Sequence, residues 1–159
     1  MLGFPYNKFC KENLTNMENL TASLEDYLEI ICNLLETSNS VKAVEVARKL
    51  NISRASVSEA LTKLAEKELI VYESHKGITI TKDGLKKAKQ VIEKHNTITA
   101  FLESTLGVNR QSAEENACKI EHVIDDEVFE RLQKFQKYCS ENNKIAQDFK
   151  KGYIKAENE

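Results

Sequence analysis

Three side chains in the C-terminal half of the chain could bind a transition metal together. Cys118, Glu121 and His122 lie at positions i, i+3 and i+4 of a predicted helix, so they share one side of it. At about 100° per residue, this side lies next to the apolar stripe of the helix. A thiolate, a carboxylate and an imidazole suit a first-row transition metal. The same pattern also fits a half-buried cysteine beside a surface Glu–His pair.

Two acidic residues and a second histidine could complete such a site. Asp26 and Glu29 lie opposite the leucine stripe of the first predicted helix, where acidic residues ordinarily face water. His95 falls in the apolar stripe of a long predicted helix, where a single histidine is more often a core residue with a hydrogen-bond partner. Taken singly, each of these residues is open to both interpretations.

A separate group of polar residues could contact DNA. The helix predicted over 54–67 begins with small polar and basic side chains, which a recognition helix needs where its N-terminal end meets bases and phosphates. A carboxylate there repels phosphate but can accept a hydrogen bond from cytosine N4. The same surface would also fit a winged-helix module that binds protein. The residues predicted to contact DNA are Ser53, Arg54, Ser56, Ser58, Glu59, Lys63 and Lys76.

The first half of the chain supplies the elements that position these residues. An amphipathic helix is predicted over 23–37, with Ser23 as its N-cap. Two helices, over about 42–50 and 54–67, flank the tight break Asn51-Ile52-Ser53. This arrangement of helices predicts a helix-turn-helix.

A wing and a long helix are predicted to follow. Two short segments rich in β-branched residues, within 69–74 and 77–81, predict strands joined by the turn His75-Lys76-Gly77. Lys76 lies at the tip of this wing. Thr81 is placed to cap a helix that runs to about Leu106.

The remaining sequence predicts a second, helical domain and thus a mainly α fold. Helices are expected over about 111–124 and 126–141, and the last stretch is either a weak helix or a frayed tail. The predicted organisation is an N-terminal tail over 1–20, a winged helix-turn-helix domain over 21–84, a metal-binding and dimerisation domain over 85–141, and a C-terminal tail over 142–159.

Charge and composition limit the classes of function. Residues 40–90 hold 11 Lys and Arg against 6 Asp and Glu, and this basic segment between acidic flanks favours a polyanion partner. No apolar run approaches the ~18 residues that span a bilayer, and no secretory signal is evident, so we expect a cytoplasmic protein without membrane contact. The four cysteines include no C-x-x-C pair, which disfavours a disulfide framework.

In combination, these segments resemble the diphtheria toxin repressor family of metal-dependent regulators, including its manganese transport regulator branch. The resemblance covers about residues 23–140 in collinear order. It rests on the helix-turn-helix and wing, S-L-E-D-Y-L-E-I-I at 23–31, E-K-H at 93–95 and A-C-K-I-E-H-V-I-D-D-E-V at 117–128. It implies a metal-dependent regulator, a repressor of metal uptake, that binds a double-stranded DNA operator as a homodimer formed by its C-terminal helices.

The resemblance also implies a set of metal ligands. They are Asp26 and Glu29 of the first helix, His95 of the long helix, and Cys118, Glu121 and His122. Cys118 stands where the manganese branch has Glu and the iron-responsive branch has Cys, whereas the iron-responsive branch has Met at the position of Asp26. The implied site is therefore a hybrid. An ancillary site of the iron-responsive branch would meet Thr99 and Glu114 here, which departs from that arrangement.

The ligand types leave two metals open. Mn²⁺ binds weakest in the first-row series and prefers oxygen-rich sites, which Asp26, Glu29 and Glu121 favour. The softer Cys118 favours Fe²⁺, with Co²⁺ or Zn²⁺ as substitutes in vitro. We therefore expect Mn²⁺ or Fe²⁺.

Three alternatives compete with this hypothesis. A winged-helix regulator could sense a small ligand or an oxidant through Cys118, without a metal. A module of this size could also bind only proteins. A metal-dependent enzyme is disfavoured because the sequence has no H-E-x-x-H motif, nucleophile elbow or phosphate-binding glycine loop.

Overall fold

The computed structural model describes residues 20–73 and 76–154. Within them the elements are α1 (Ala22–Leu35), α2 (Ala43–Leu50), α3 (Arg54–Glu66), β1 (Ile70–Glu73), β2 (Gly77–Ile80), α4 (Lys82–Ala100), a π-helical turn (Phe101–Thr105), α5 (Arg110–Ile120), α6 (Asp126–Glu141), α7 (Asn143–Phe149) and a second π-helical turn (Lys150–Ile154). The predicted class, mainly α with a winged helix-turn-helix followed by a helical domain, is confirmed. The tail predicted over residues 1–20 lies outside the described residues, apart from Leu20.

Helix α1 begins one residue earlier than predicted because Thr21, not Ser23, is its N-cap. Thr21 has extended backbone, and its Oγ1 accepts a hydrogen bond from the N–H of Leu24. Leu28 and Ile31 are fully buried on one face of the helix. This burial fixes which face of α1 is left to carry polar side chains toward the second half of the chain.

The helix-turn-helix has the break that the sequence predicts. Asn51 ends α2 with a left-handed backbone, φ 55°, a conformation that asparagine tolerates well. The N–H of Ile52 then donates to the carbonyl of Ala47. Ser53 caps α3 by accepting from the N–H of Ser56 at 3.1 Å. The N-terminal end of α3 is exposed as a result.

The wing is an antiparallel pair, β1 and β2, that is attached to the rest of the domain. Ile78 of β2 is fully buried and forms an isolated bridge with Val41, just before α2. Gly77 has a φ of +96°, and a Cβ there would collide with the Oγ of Ser40 and the carbonyl of Val41. Glycine is therefore required at this position by both conformation and space. His75, which the sequence places in the turn, lies outside the described residues.

Helix α4 links the winged helix to the second half of the molecule. Thr81 caps it as predicted, accepting from the N–H of Gly84 at 3.0 Å and donating to the carbonyl of Glu68 at 2.8 Å. The α-helix gives way to a π-helical turn at Phe101, and Gly107 follows with a φ of +75°. One core spans α1, α2, α3, the wing and the start of α4, and includes Leu28, Ile31, Val46, Val57, Leu61, Leu64, Ile78 and Ala88.

The helix predicted over 111–124 ends earlier than expected, at Ile120. Glu121 keeps a right-handed helical backbone, but the next residues form a turn, and Asp125 then caps α6. Oδ1 of Asp125 accepts a hydrogen bond from the N–H of Val128, in the first turn of α6, at 2.8 Å. Glu121 and His122 therefore lie at the C-terminal end of α5, whereas Cys118 lies on the helix itself.

The C-terminal stretch is helical as far as the structure describes it. Of the two alternatives open for residues 142–159, a helix is found as α7, followed by the second π-helical turn. No helix in the described parts of the chain is both long and apolar enough to cross a membrane.

Candidate metal centre

Glu121 is the central residue of a cluster formed where α1, α4 and the end of α5 meet. Its side chain has no solvent exposure, which is unusual for a carboxylate without a fixed cation nearby. Its Oε2 accepts a hydrogen bond from Nδ1 of His95 on α4 at 2.7 Å. Its Oε1 lies 3.2 Å from Nε2 of His122.

The cluster extends to α1 through His122. Its Nε2 lies 2.9 Å from Oδ1 of Asp26. The side chain of His122 is only 9% exposed, and both of its ring nitrogens contact carboxylate oxygens of the protein. The contact between Asp26 and His122 therefore joins α1 to the turn after α5, which lies almost a hundred residues later in the chain.

Two overlapping groups of side chains have the dimensions of a metal site. His95, Cys118 and Glu121 form one group, and Asp26, Glu121 and His122 form the other. In each group the ligand atoms lie within 4.8 Å of one another. Glu121 belongs to both, so its carboxylate could contribute to either group.

A buried oxygen without a partner supports the fit of a cation. Oε1 of Glu121 is fully buried and has no hydrogen-bond donor. Its contact with Nε2 of His122 has the distance of an ion pair but not the geometry of a hydrogen bond. Leaving a buried carboxylate oxygen unsatisfied is costly. A metal ion would satisfy it, and carboxylate and imidazole donors suit a divalent first-row ion.

The electrostatics of the cluster also favour a cation. Burial raises the pKa of Glu121, and the hydrogen bond and charge of His95 offset only part of this effect. Burial likewise raises the pKa of Asp26 against the lowering effect of His122. Burial lowers the pKa of His122, but the hydrogen bond to Glu25 and the charges of Asp26 and Glu121 outweigh it and leave the pKa raised. The cluster thus binds protons more readily than the free groups do, and a cation bound there would replace them.

Two predicted ligands are placed at the edge of the cluster. Glu29 is half-buried, and burial raises its pKa although the charge of His95 lowers it. It belongs to neither of the two groups of ligand atoms and has a hydrogen bond to Asn33. Cys118 is exposed but belongs to the group with His95. Partial burial of the thiol and the charges of Glu121 and Asp26 raise its pKa.

The positions implied for an ancillary site do not converge on a donor set. Thr99 is buried, and its Oγ1 has no hydrogen-bond partner. Glu114 pairs with Arg110 at 2.8 Å on the exposed face of α5.

Sequence reasoning missed Glu25 as a residue of this region. Glu25 lies in the first turn of α1, beside Asp26. In the structure its Oε2 accepts from Nδ1 of His122 at 2.8 Å, and its Oε1 lies 3.1 Å from Nζ of Lys87. No spacing rule within α1 could have indicated this, because both partners come from other elements.

All seven residues predicted to contact DNA are exposed. Five of them cap α3 or lie in its first half, Lys63 lies in its last turn, and Lys76 lies just before β2. Glu59 and Lys63 pair with each other at 2.7 Å, one helical turn apart. Lys76 pairs with Glu73 at 2.8 Å across the wing turn. The surface therefore carries cations and one carboxylate without burying any of them.

Comparison with known protein families divides the chain into two parts. Residues 19–78 match the model described as "Iron dependent repressor, N-terminal DNA binding domain". Residues 81–150 match the model described as "Iron dependent repressor, metal binding and dimerisation domain".

Several similar proteins carry related names. An uncharacterised HTH-type transcriptional regulator of Methanocaldococcus jannaschii is 40% identical over 117 residues, which are 73% of this chain and 94% of that protein. The HTH-type transcriptional regulator MntR of Oceanobacillus iheyensis is 29% identical, over 82% of this chain and 88% of its own length.

A solved structure has the same fold. That of the manganese regulator SloR superposes with a TM-score of 0.67 at 34% identity, over 75% of this chain and 55% of that one. The chain thus spans about half the length of this solved regulator. Because the two domain models together extend over residues 19–150 and the Methanocaldococcus relative matches at 40% identity, the protein belongs to the diphtheria toxin repressor family of iron-dependent repressors and is similar to its manganese regulators.

Proposed function

We propose that the protein is a metal-dependent transcriptional regulator that represses genes of manganese or iron homeostasis. The observation that carries the proposal is the buried Glu121, whose unpartnered Oε1 lies within a cluster of imidazole and carboxylate groups. The ligands proposed are Asp26, Glu29, His95, Cys118, Glu121 and His122.

The position of these ligands suggests how metal binding would act on DNA recognition. Asp26 lies on α1, which packs on the recognition helix and the wing, whereas His95 and Glu121 lie on α4 and at the end of α5. A divalent cation bound here supplies positive charge that neutralises the buried carboxylates. Helices α1 and α4 and the end of α5 would then be held together, because loss of the cation would again leave Oε1 of Glu121 unsatisfied.

Mn²⁺ and Fe²⁺ are both proposed as the physiological metal. Carboxylates from α1 and Glu121 supply hard oxygen ligands, which suit Mn²⁺, whereas the thiol of Cys118 suits Fe²⁺. Co²⁺ and Zn²⁺ are proposed as substitutes in vitro. The solved structure named as that of a manganese regulator supports Mn²⁺, whereas the two matching family models are named for iron-dependent repressors.

We propose double-stranded DNA and a second copy of the chain as the partners. The recognition surface is that of Ser53, Arg54, Ser56, Ser58, Glu59, Lys63 and Lys76. Large apolar side chains are exposed on α6 and at the start of α7 and support dimerisation through these helices: Val128, Phe135, Tyr138 and Ile145. A dimer reads half-sites about 34 Å apart, so a small change in the angle between α1 and α4 alters the fit to DNA.

The proposed domain organisation follows the same division. Residues 21–84 form the DNA-binding domain and residues 85–141 the core of the metal-binding and dimerisation domain. Helix α7 then extends the second domain beyond its proposed end at residue 141. A regulator of this kind acts where DNA is found, and we place it in the cytoplasm.

Sensing through Cys118 alone is the less favoured alternative. A reactive thiol needs a lowered pKa, whereas burial and neighbouring carboxylates raise the pKa of Cys118. The relatives described above are named as transcriptional or manganese regulators, which favours the metal.

The test is to measure operator affinity with the metal varied. Genomic fragments that the protein binds are first selected in the presence of Mn²⁺, and dissociation constants are then measured with Mn²⁺, with Fe²⁺ under anaerobic conditions and with a chelator. We expect DNA binding to be at least about tenfold tighter with metal, a coupling of about 1.4 kcal/mol. Equal affinity under all conditions would contradict the metal switch but not DNA binding.

A further inference from the structure

We propose that Glu25 is a positioning residue for metal binding, which holds His122 with its Nδ1 protonated so that its Nε2 faces the metal. This inference rests on the metal site of the proposed function and adds to it a residue that is not one of the six proposed ligands. The two partners come from opposite ends of the sequence, the first turn of α1 and the turn after α5.

The two ring nitrogens of His122 have different surroundings. Nδ1 donates to Oε2 of Glu25 at 2.8 Å. Nε2, on the other side of the ring, lies 2.9 Å from Oδ1 of Asp26 and 3.2 Å from Oε1 of Glu121. A neutral imidazole carries one proton, and keeping it on Nδ1 leaves the lone pair of Nε2 free for a cation.

Glu25 is itself fixed at both oxygens. Its Oε1 lies 3.1 Å from Nζ of Lys87 on α4, which leaves Oε2 for His122. The side chain of Glu25 is only 12% exposed, and that of Lys87 is 33% exposed. Lys87, Glu25 and His122 therefore form a chain of contacts from α4 through α1 to the turn after α5.

The position of Glu25 makes it a partner of the ligand and not a ligand. Glu25 contacts the edge of the imidazole that faces away from Asp26 and Glu121, and it belongs to neither group of converging ligand atoms. A carboxylate on the outer nitrogen of a metal-binding histidine fixes the ring orientation and increases its basicity. Removing such a partner ordinarily weakens metal affinity by about 10- to 100-fold.

Metal affinity of matched variants tests the chain of contacts. Calorimetric titration with Mn²⁺ and with Zn²⁺ compares the full-length wild type with Glu25→Ala, Glu25→Gln, Lys87→Met and Lys94→Met. Lys94 is the matched control, since it lies two turns after Lys87 on α4 and contacts Asp126 at 3.1 Å and the carbonyl of Ile124 at 3.3 Å, not Glu25 or His122.

The expected order of affinities follows from the contacts that each variant removes. Glu25→Ala loses about 10- to 100-fold. Glu25→Gln loses less than about tenfold, because an amide oxygen still accepts from Nδ1. Lys87→Met falls between the wild type and Glu25→Ala, whereas Lys94→Met stays within about twofold of the wild type.

Nuclear magnetic resonance gives a readout that a purely structural role would not change. The protein has three histidines, so ¹⁵N-labelled imidazole signals can be assigned by substitution. In the Zn²⁺-loaded protein we expect the Nδ1 proton of His122 to be deshielded and slow to exchange with water. In Glu25→Ala this proton should exchange too fast to observe, and in Glu25→Gln it should reappear.

The outcomes separate this inference from the proposed function. If the wild type binds neither ion, the proposed metal site is wrong and this inference with it. If the wild type binds and Glu25→Ala binds equally well, or keeps the slowly exchanging Nδ1 proton, only the role of Glu25 is overturned. A loss of affinity in Lys94→Met as large as that in Lys87→Met would also overturn it. Should Glu25→Ala unfold, the comparison of Glu25→Gln and Lys87→Met with Lys94→Met decides.

Discussion

Nδ1 of His95 lies 2.7 Å from Oε2 of Glu121, and this contact fixes the turn after α5 against α4. The carboxylate is fully buried, and its second oxygen has no hydrogen-bond donor. The pair therefore marks a point, within the described part of the chain, where a cation would satisfy a buried carboxylate oxygen.

Glu121→Gln should abolish the metal response without unfolding the protein. The amide is nearly isosteric, so His95 can still donate to its oxygen, but the charge that attracts a cation is gone. We expect Mn²⁺ affinity to fall by at least about 100-fold. Loss of a residue that only supports a ligand already weakens metal affinity by up to about that much, and Glu121 is proposed as a ligand itself. The metal-free protein should unfold at an unchanged or higher temperature, because a neutral amide replaces the fully buried carboxylate at position 121.

Calorimetric titration and thermal unfolding check the prediction for Glu121. Glu114→Gln is the control, since Glu114 lies on the exposed face of the same helix and pairs with Arg110. Metal affinity in Glu121→Gln equal to that of the control would contradict a ligand role for Glu121.

The metal-free protein should become less stable as the pH rises from about 5 to 8. The pKa values of Asp26, Glu29 and Glu121 are raised by burial, and that of His122 is raised by its carboxylate partners despite burial. Groups with a raised pKa in the folded state bind more protons when folded, so stability is full below the unfolded pKa and is lost as the pH rises through the folded pKa.

Urea unfolding at several pH values measures this dependence. The loss begins above about pH 3.9 for Asp26, above about pH 4.3 for Glu29 and Glu121, and above about pH 6.5 for His122. Saturating Mn²⁺ should reverse the trend, because metal binding needs these groups deprotonated and therefore tightens with pH. A metal-free stability that rises over the same interval would show that the cluster does not hold protons in this way.

Cys118→Ser should change which metal is preferred more than whether a metal binds. A hydroxyl is a harder and weaker ligand than a thiolate, so the affinity for Zn²⁺ should fall more than that for Mn²⁺. We expect the ratio of Zn²⁺ to Mn²⁺ affinity to fall by about tenfold or more, which competition titrations can measure. Cys139→Ser changes a buried thiol on α6 and serves as the control. An equal ratio in both variants would place Cys118 outside the site.

Arg54→Ala should weaken binding to every DNA sequence to a similar extent. Arg54 is exposed in the first turn of α3, directly after the Ser53 cap, where a cation meets phosphate oxygens. Loss of one phosphate contact should lower the salt dependence of binding by about one ion. Metal affinity should be unchanged, because Arg54 lies on α3, whereas the cluster is formed by residues of α1, α4 and the end of α5. An unchanged salt dependence would remove Arg54 from the interface.

Local patterns of residues predict the elements and most of the residue types of the site. Periodicity, the Asn51 break and the Thr81 cap place the helix-turn-helix, wing and long helix, because these are local properties of the backbone and of apolar burial. The ordered match of the acidic first helix, His95 and the C-x-x-E-H segment indicated a metal site, although each part alone had an ordinary interpretation.

The way in which these residues meet is visible only in the folded molecule. Spacing along α5 could not show that the helix ends at Ile120, since the apolar period of the sequence continues to Ile124. It could not reveal the pairing of Glu25 with His122, 97 residues apart. Such contacts depend on the packing of α1 against α4 and on burial, which no local pattern of residues contains.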